Sequence, residues 1–298
     1  MRILLLGSSG QVGYELQRSL ASLGEVVALD QPEVDLGQPA ALSTIVESIA
    51  PVVIVNAAAY TAVDQAEKEP GLAHTVNAES VETLARAAAA RGALLVHFST
   101  DYVYPGTGTR PWLESDETGP INAYGRSKLA GDKAIAKFGC RHAILRTSWV
   151  YAARGKNFVR TILRLATERD RLSVVDDQHG VPTAASFLAD VAARVVEHHL
   201  QSSTTPSGVF HTAPTGSTTW YGVARALLDR ARSRGMALKL PHDGLVPCTT
   251  AEYPLPAARP RNSRLNVDRV QQVFGVRCVD WLEDLNRVVD ELTEGASR

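Results

Sequence analysis

Cysteine is scarce in this sequence. Cys140, Cys248 and Cys278 are odd in number, far apart and without a CxxC pair. That pattern argues against a disulfide framework or a thiolate metal site, and it suits buried thiols in a reducing cytoplasm. Charge of either sign is not in excess. The net charge of -1 gives no global attraction to nucleic acid or to a membrane surface. Long apolar runs are missing too. The N-terminal Ile3-Leu4-Leu5-Leu6 meets Gly7 at once, so it reads as a buried first strand, not as a signal peptide or membrane span. No internal repeat or low-complexity tract is present. The eight histidines have no ligand spacing, and His97 and His211, inside strands, read as packed residues.

What is present is the composition of an ordinary globule, 45% apolar and 21% charged over 298 residues. That length suits one large or two small domains. Arg2–Leu6 leads into Gly7-Ser8-Ser9-Gly10-Gln11-Val12-Gly13, then a helical pattern with Leu16, Leu20 and Leu23, then a second strand closing on Asp30. This is a βαβ unit with a glycine-rich first turn. Glycines there let backbone approach a pyrophosphate, and its charge sits against the helix N-terminus. Asp30 lies where a carboxylate accepts hydrogen bonds from an adenosine ribose.

A third apolar strand, Val52–Val55, ends in Asn56-Ala57-Ala58-Ala59-Tyr60-Thr61, whose small residues leave room for a flat ligand. A long helix carrying Ala73, Val76, Val81, Leu84 and Ala88 follows. Gly92 then releases the chain into the strand Leu94–Phe98, which delivers Ser99 and Thr100. Strands and helices alternating at this rhythm predict an α/β fold: a doubly wound parallel-sheet Rossmann domain, with a smaller α/β C-terminal substrate domain. The boundaries read as 1–147, joined again by about 184–213, for the dinucleotide-binding part, and 148–183 with 214–298 for the substrate part.

Between Asn122 and Gly139, a plausible N-cap and C-cap, a helix carries Tyr124 and Lys128 on one face. An ammonium near a phenol favours the phenolate, so this spacing predicts a lowered Tyr124 pKa and proton transfer at neutral pH. Tyr-x-x-x-Lys alone arises on helices by chance. Combined with a dinucleotide turn and a strand-end hydroxyl, it predicts Thr100, Tyr124 and Lys128 as a catalytic set. The loop 105–119 reads as mobile and able to cover the site.

The glycine spacing GxxGxxG is that of extended short-chain dehydrogenases/reductases, and further blocks are more specific. Gly10–Gly13, Asn56–Asp64, Ser99–Tyr104, Tyr124–Gly131, Arg146–Tyr151, Gly180–Thr183 and Arg259–Ser263 resemble dTDP-4-dehydrorhamnose reductases, in the family's order and across nearly the whole chain. The resemblance implies NADH- or NADPH-dependent reduction of the C4 ketone of dTDP-6-deoxy-L-lyxo-4-hexulose to dTDP-L-rhamnose, for bacterial surface polysaccharide. It implies a dTDP-sugar partner, a cytoplasmic location and a homodimer.

Position by position, the resemblance makes Tyr124 the acid, Lys128 its pKa partner and ribose anchor, and Thr100 the carbonyl contact. It places Gly7, Gly10, Gln11, Val12, Gly13, Asp30, Asp35, Leu36, Ala58, Ala59, Tyr60, Thr61 and Ser99 around the cofactor. It places Asp101, Tyr102 and Trp149 at the sugar. Arg259 and Arg261 read as guanidinium forks for a diphosphate. Glu15 and Glu291 match two Mg²⁺ positions of some members, but the third falls on Ser186, a poor ligand, so no strong metal site is expected.

Two alternatives stand beside this reading. One is a sugar-nucleotide dehydratase or epimerase, whose dehydratase members carry Glu where this chain has Tyr102. The other is a binding role like that of the regulatory subunit of methionine adenosyltransferase. Asp30 and the uncharged Ser8-Ser9 predict that NADH serves at least as well as NADPH.

Overall fold

The computed structural model describes residues 1–202 and 205–294. Six parallel strands form the central sheet. They are β1 (Arg2–Leu6), β2 (Glu25–Leu29), β3 (Val53–Asn56), β4 (Leu94–Thr100), β5 (Arg141–Thr147) and β6 (Gly208–His211), in the order β6-β5-β4-β3-β1-β2. All four central strands are apolar on both faces, as a sheet covered on both sides requires. The helices α1 (Gln11–Leu20) and α6 (Ala185–Gln201) cover one face. The other is covered by α2 (Pro39–Ile49), α3 (Ser80–Arg91) and α4 (Ala123–Phe138). The expected doubly wound α/β sheet is therefore present, and β6 returns to its edge beside β5.

The remaining helices, α5 (Phe158–Glu168), α7 (Trp220–Ser233) and α8 (Trp281–Glu294), pack around short strands beyond the C-terminal edge of the sheet. One hydrophobic core runs without a break from Ile3 and Leu5 through Leu188 and Val191 to Val223, Leu227 and Leu285. Truncating one of these to alanine costs about 2–5 kcal/mol, because the cavity left behind collapses only partly.

Local chemistry sets the ends of the elements that matter. Asn122 starts α4, its Oδ1 accepting from Gly125 N at 2.7 Å, and Gly139 ends it at φ +63°. Asn157 caps α5 in the same way, at 3.0 Å from Arg160 N.

The long helix expected before β4 is interrupted by a π-turn at Thr75–Glu79. That turn aims Asn77 inward, where it brackets Tyr60 by accepting from its N–H (2.9 Å) and donating to its carbonyl (3.0 Å). The loop 105–119 does not lie over the cavity at the sheet edge. Trp112 stacks on Tyr104 at 5.0 Å and donates to Asn262 O at 3.0 Å, and Arg110 pairs with Asp116 at 2.7 Å. These contacts hold the loop against residues 262–266.

Candidate active site

A cavity of about 1070 Å³ opens along the C-terminal ends of β1, β3, β4 and β5. It is somewhat larger than the ~300–1,000 Å³ of most single small-molecule sites, as a dinucleotide beside a second ligand requires. Its lining runs from the glycine turn through Asp30 and the Ala57–Thr61 segment to Thr100, Tyr124 and Trp149.

The turn is close-packed backbone. A Cβ on Gly13 would stand 1.9 Å from Gly7 O, and one on Gly7, at φ +78°, would stand 2.6 Å from Ala58 N. Gly7 and Gly10 face the cavity, whereas Gly13 does not line it and serves the packing of α1 on the turn. Asp30 accepts from Ser9 N at 2.8 Å and Ser9 Oγ at 2.6 Å, fixing its carboxylate at the mouth of the turn. Although burial raises its pKa, these bonds outweigh that and hold it below the usual carboxylate value. Gln11, Val12, Asp35, Leu36, Ala58, Ala59, Tyr60, Thr61 and Ser99 all line the same space. The residues therefore fit a dinucleotide: a side-chain-free cradle, a carboxylate at the mouth of the turn, and two buried hydroxyls, Ser99 Oγ and Thr147 Oγ1, without partners among the described residues.

At the inner end, Thr100 Oγ1 donates to Asp101 Oδ1 at 3.1 Å and also lies within hydrogen-bonding reach of the Tyr124 hydroxyl. Burial pushes the Asp101 carboxyl up to about 7, against the hydrogen bond from Thr100. Tyr102 meets Tyr124 edge to face at 5.7 Å. Trp149, at φ +50°, is a bulky residue held in the left-handed region, a sign of a functional constraint. Its ring stacks on Trp220 at 3.9 Å, and Gly180 provides the space: a Cβ there would stand 2.7 Å from the indole.

Three expectations are revised. The Tyr124 pKa is raised, not lowered, because burial dominates and only Thr100 offsets it. Lys128 makes its polar contacts on the β4 side. Its Nζ donates to Phe98 O at 2.7 Å and meets His97 Nε2 at 3.1 Å, and burial pushes its ammonium down to about 8. Arg259 and Arg261 do not line the cavity: Arg259 donates to Asp64 at 2.8 Å, and the exposed Arg261 faces Asp177 at 3.8 Å.

Glu15 and Glu291 share a cationic neighbour. The Arg154 guanidinium lies between them, 3.9 Å from one and 3.8 Å from the other, and supplies the positive charge itself. No set of three metal-ligating side chains occurs among the described residues. Lys156, Asn157 and Trp220 also line the cavity and escaped the sequence reading. Asn157 donates to Gln11 Oε1 at 2.8 Å, a contact spanning 146 positions that local patterning could not indicate.

The sequence model described as RmlD substrate binding domain matches residues 1–294. The chain belongs to this family. The dTDP-4-dehydrorhamnose reductase of Escherichia coli strain K12 is 48% identical over 296 residues, covering 98% of each chain. The crystal structure of a dTDP-4-dehydrorhamnose reductase from Clostridium acetobutylicum superposes with a TM-score of 0.90 at 35% identity, covering 98% of this chain and 99% of that one. The reductase from Bacillus anthracis, in complex with NADP, gives 0.89 at 34% identity, covering 97% and 99%. These likenesses span the sheet and the C-terminal lobe alike. Among the described residues, no helix is long and apolar enough to cross a membrane.

Proposed function

We propose that this chain reduces the C4 ketone of dTDP-4-dehydrorhamnose to dTDP-L-rhamnose, using NADH or NADPH. The observation that carries the reading is the convergence of Thr100 and Tyr124 at the inner end of a cavity that begins at a dinucleotide turn. The named relatives support the same substrate. In this reading residues 1–147 with about 184–213 hold the cofactor, and 148–183 with 214–298 hold the sugar nucleotide.

Bound NAD(P)H supplies a hydride to C4, and the protein must supply one proton and hold the carbonyl. Thr100 donates to the C4 oxygen and Tyr124 delivers the proton to it. A phenol with a raised pKa stays protonated until an alkoxide-like oxygen develops against it, so burial keeps the acid loaded for reduction. Trp149 and Asp101 flank the sugar.

Elimination chemistry would need a base where Tyr102 stands. Burial raises that phenol's pKa, so it holds its proton at neutral pH. This favours reduction over the dehydratase alternative.

Asp30 faces the ribose with no guanidinium in the lining, and Lys128 and Lys156 are the only cationic side chains there among the described residues. That supports use of NADH at least as well as NADPH. The test is NAD(P)H oxidation with the L-configured 4-keto sugar nucleotide against its D-isomer. Turnover of the first alone supports the reading, and no turnover of either contradicts it.

A further inference from the structure

Residues 152–157 lie between β5 and α5 and fold back against the start of α1. Asn157 Nδ2 donates to Ala152 O at 2.8 Å and to Gln11 Oε1 at 2.8 Å. One side chain thus closes the segment and ties it to the glycine turn. Gly155, at φ +71°, lies so close that a Cβ there would stand 3.1 Å from Gln11 Cγ. Arg160, in the first turn of α5, holds Gly155 O at 2.8 Å. The Arg154 guanidinium lies 3.4 Å from the centre of the Tyr14 ring, one turn further along α1.

The residues on both sides of Lys156 therefore touch Gln11, the first residue of α1. Lys156 itself is exposed and lines the cavity. No carboxylate pairs with it among the described residues. The other cation of the lining, Lys128, is engaged by Phe98 O and His97. The glycine turn offers backbone N–H groups and the uncharged Ser8 and Ser9. A helix N-terminus supplies roughly half an elementary charge, whereas a pyrophosphate carries a formal charge on each phosphate. Backbone alone leaves much of that charge uncompensated.

We propose that Lys156 is a cofactor-binding residue whose ammonium contacts the pyrophosphate of NADH or NADPH at the start of α1. The segment 152–157 thereby brings to the glycine turn the full positive charge that the turn lacks. This inference rests on the reading of the cavity as a dinucleotide site and is independent of the role of Tyr124. Ser99 Oγ and Thr147 Oγ1, buried in the same cavity without partners among the described residues, separately mark a ligand there.

Position decides which phosphate is met. The adenosine ribose is marked by Asp30, which accepts from Ser9, ahead of Gly10. Lys156 is held beside Gln11, past Gly10, where a pyrophosphate meets the helix. A lysine ammonium on its flexible stem suits a group already oriented by backbone donors.

Equilibrium binding to the full chain tests this without turnover. NADH, NADPH, dTDP and ADP-ribose, which keeps the pyrophosphate but lacks the nicotinamide, are titrated calorimetrically into the unaltered protein and Lys156→Gln. The variant is expected to bind NADH, NADPH and ADP-ribose about threefold or more weakly, by similar factors, with dTDP unchanged. Lys156→Arg should recover most of the loss, and added salt should weaken the unaltered protein more than Lys156→Gln. A loss below about threefold for NADH and ADP-ribose, or an equal salt dependence, overturns the proposal. So does a loss confined to NADPH, which places the ammonium at a 2′-phosphate, or one that spares ADP-ribose, which places it at the nicotinamide. A loss confined to dTDP overturns it by placing the ammonium at the sugar nucleotide. The expected binding losses without turnover of the 4-keto sugar nucleotide would fault the functional reading alone.

Discussion

Asn122 donates to the carbonyl of Ala258 at 2.8 Å, across 136 positions of sequence, while its Oδ1 caps the helix that carries Tyr124 and Lys128. One side chain thus fixes both the start of α4 and the loop that the Arg259–Asp64 pair also clamps.

Replacing Asn122 separates the two roles. Asn122→Ala loses cap and clamp and should cost about 1–2 kcal/mol in urea unfolding. Asn122→Asp keeps the cap oxygen but loses the donor to Ala258. It should lose less stability, yet raise the sugar-nucleotide KM about fivefold, roughly the worth of one hydrogen bond. An unchanged sugar-nucleotide KM in Asn122→Asp would show that the clamp has no bearing on substrate.

Asp30 sets the second prediction. Steady-state kcat/KM should be at least as high with NADH as with NADPH, because a carboxylate at the ribose repels a 2′-phosphate. Asp30→Ala should lower the NADH value by about 10-fold or more and the NADPH value less, since a hydrogen bond to a charged group contributes about 1.5–3 kcal/mol. A tenfold NADPH preference in the unaltered protein would contradict this.

Much of this site was legible because its signals are local. The glycine turn, Asp30, the strand-end Thr100 and the Tyr124–Lys128 spacing each follow from a few neighbouring residues. The contacts of Lys128 were not legible. His97 lies 31 positions away inside an apolar strand, where periodicity marks it only as buried. The same holds for Arg259, whose carboxylate partner is 195 positions off. The helical spacing placed both residues on one helix, but burial raises the phenol's pKa and Lys128 makes its contacts with Phe98 O and His97.

Asp101 predicts a pH dependence of stability. Its carboxyl is raised from the ordinary 3.8 to about 7, so between those values the folded protein binds more protons than the unfolded chain. Stability from this group is therefore full below about pH 4 and falls as pH rises to about 7, by on the order of 4 kcal/mol at most. Asp101→Asn should flatten that part of the profile, as read by denaturant unfolding at pH 5 and pH 8. An unchanged slope would mean Asp101 titrates normally.

Gly180 tests the placement of Trp149. A methyl group there meets the indole at 2.7 Å and Ser263 Cβ at 3.0 Å, so Gly180→Ala must displace the stacked ring. The expected result is a raised KM for the sugar nucleotide, about tenfold or more, with the cofactor KM unchanged. A shift in both constants would point to general loss of packing.

The central claim is that Tyr124 protonates a sugar C4 oxygen. Its most direct measurement is reduction of dTDP-4-dehydrorhamnose by Tyr124→Phe and by the unaltered protein, with the product identified by NMR and cofactor affinity measured in parallel. The unaltered protein should form dTDP-L-rhamnose, and the variant should lose about 10²–10⁴-fold in kcat while binding cofactor nearly as well. A variant that retains near-normal kcat would contradict the assignment of the acid.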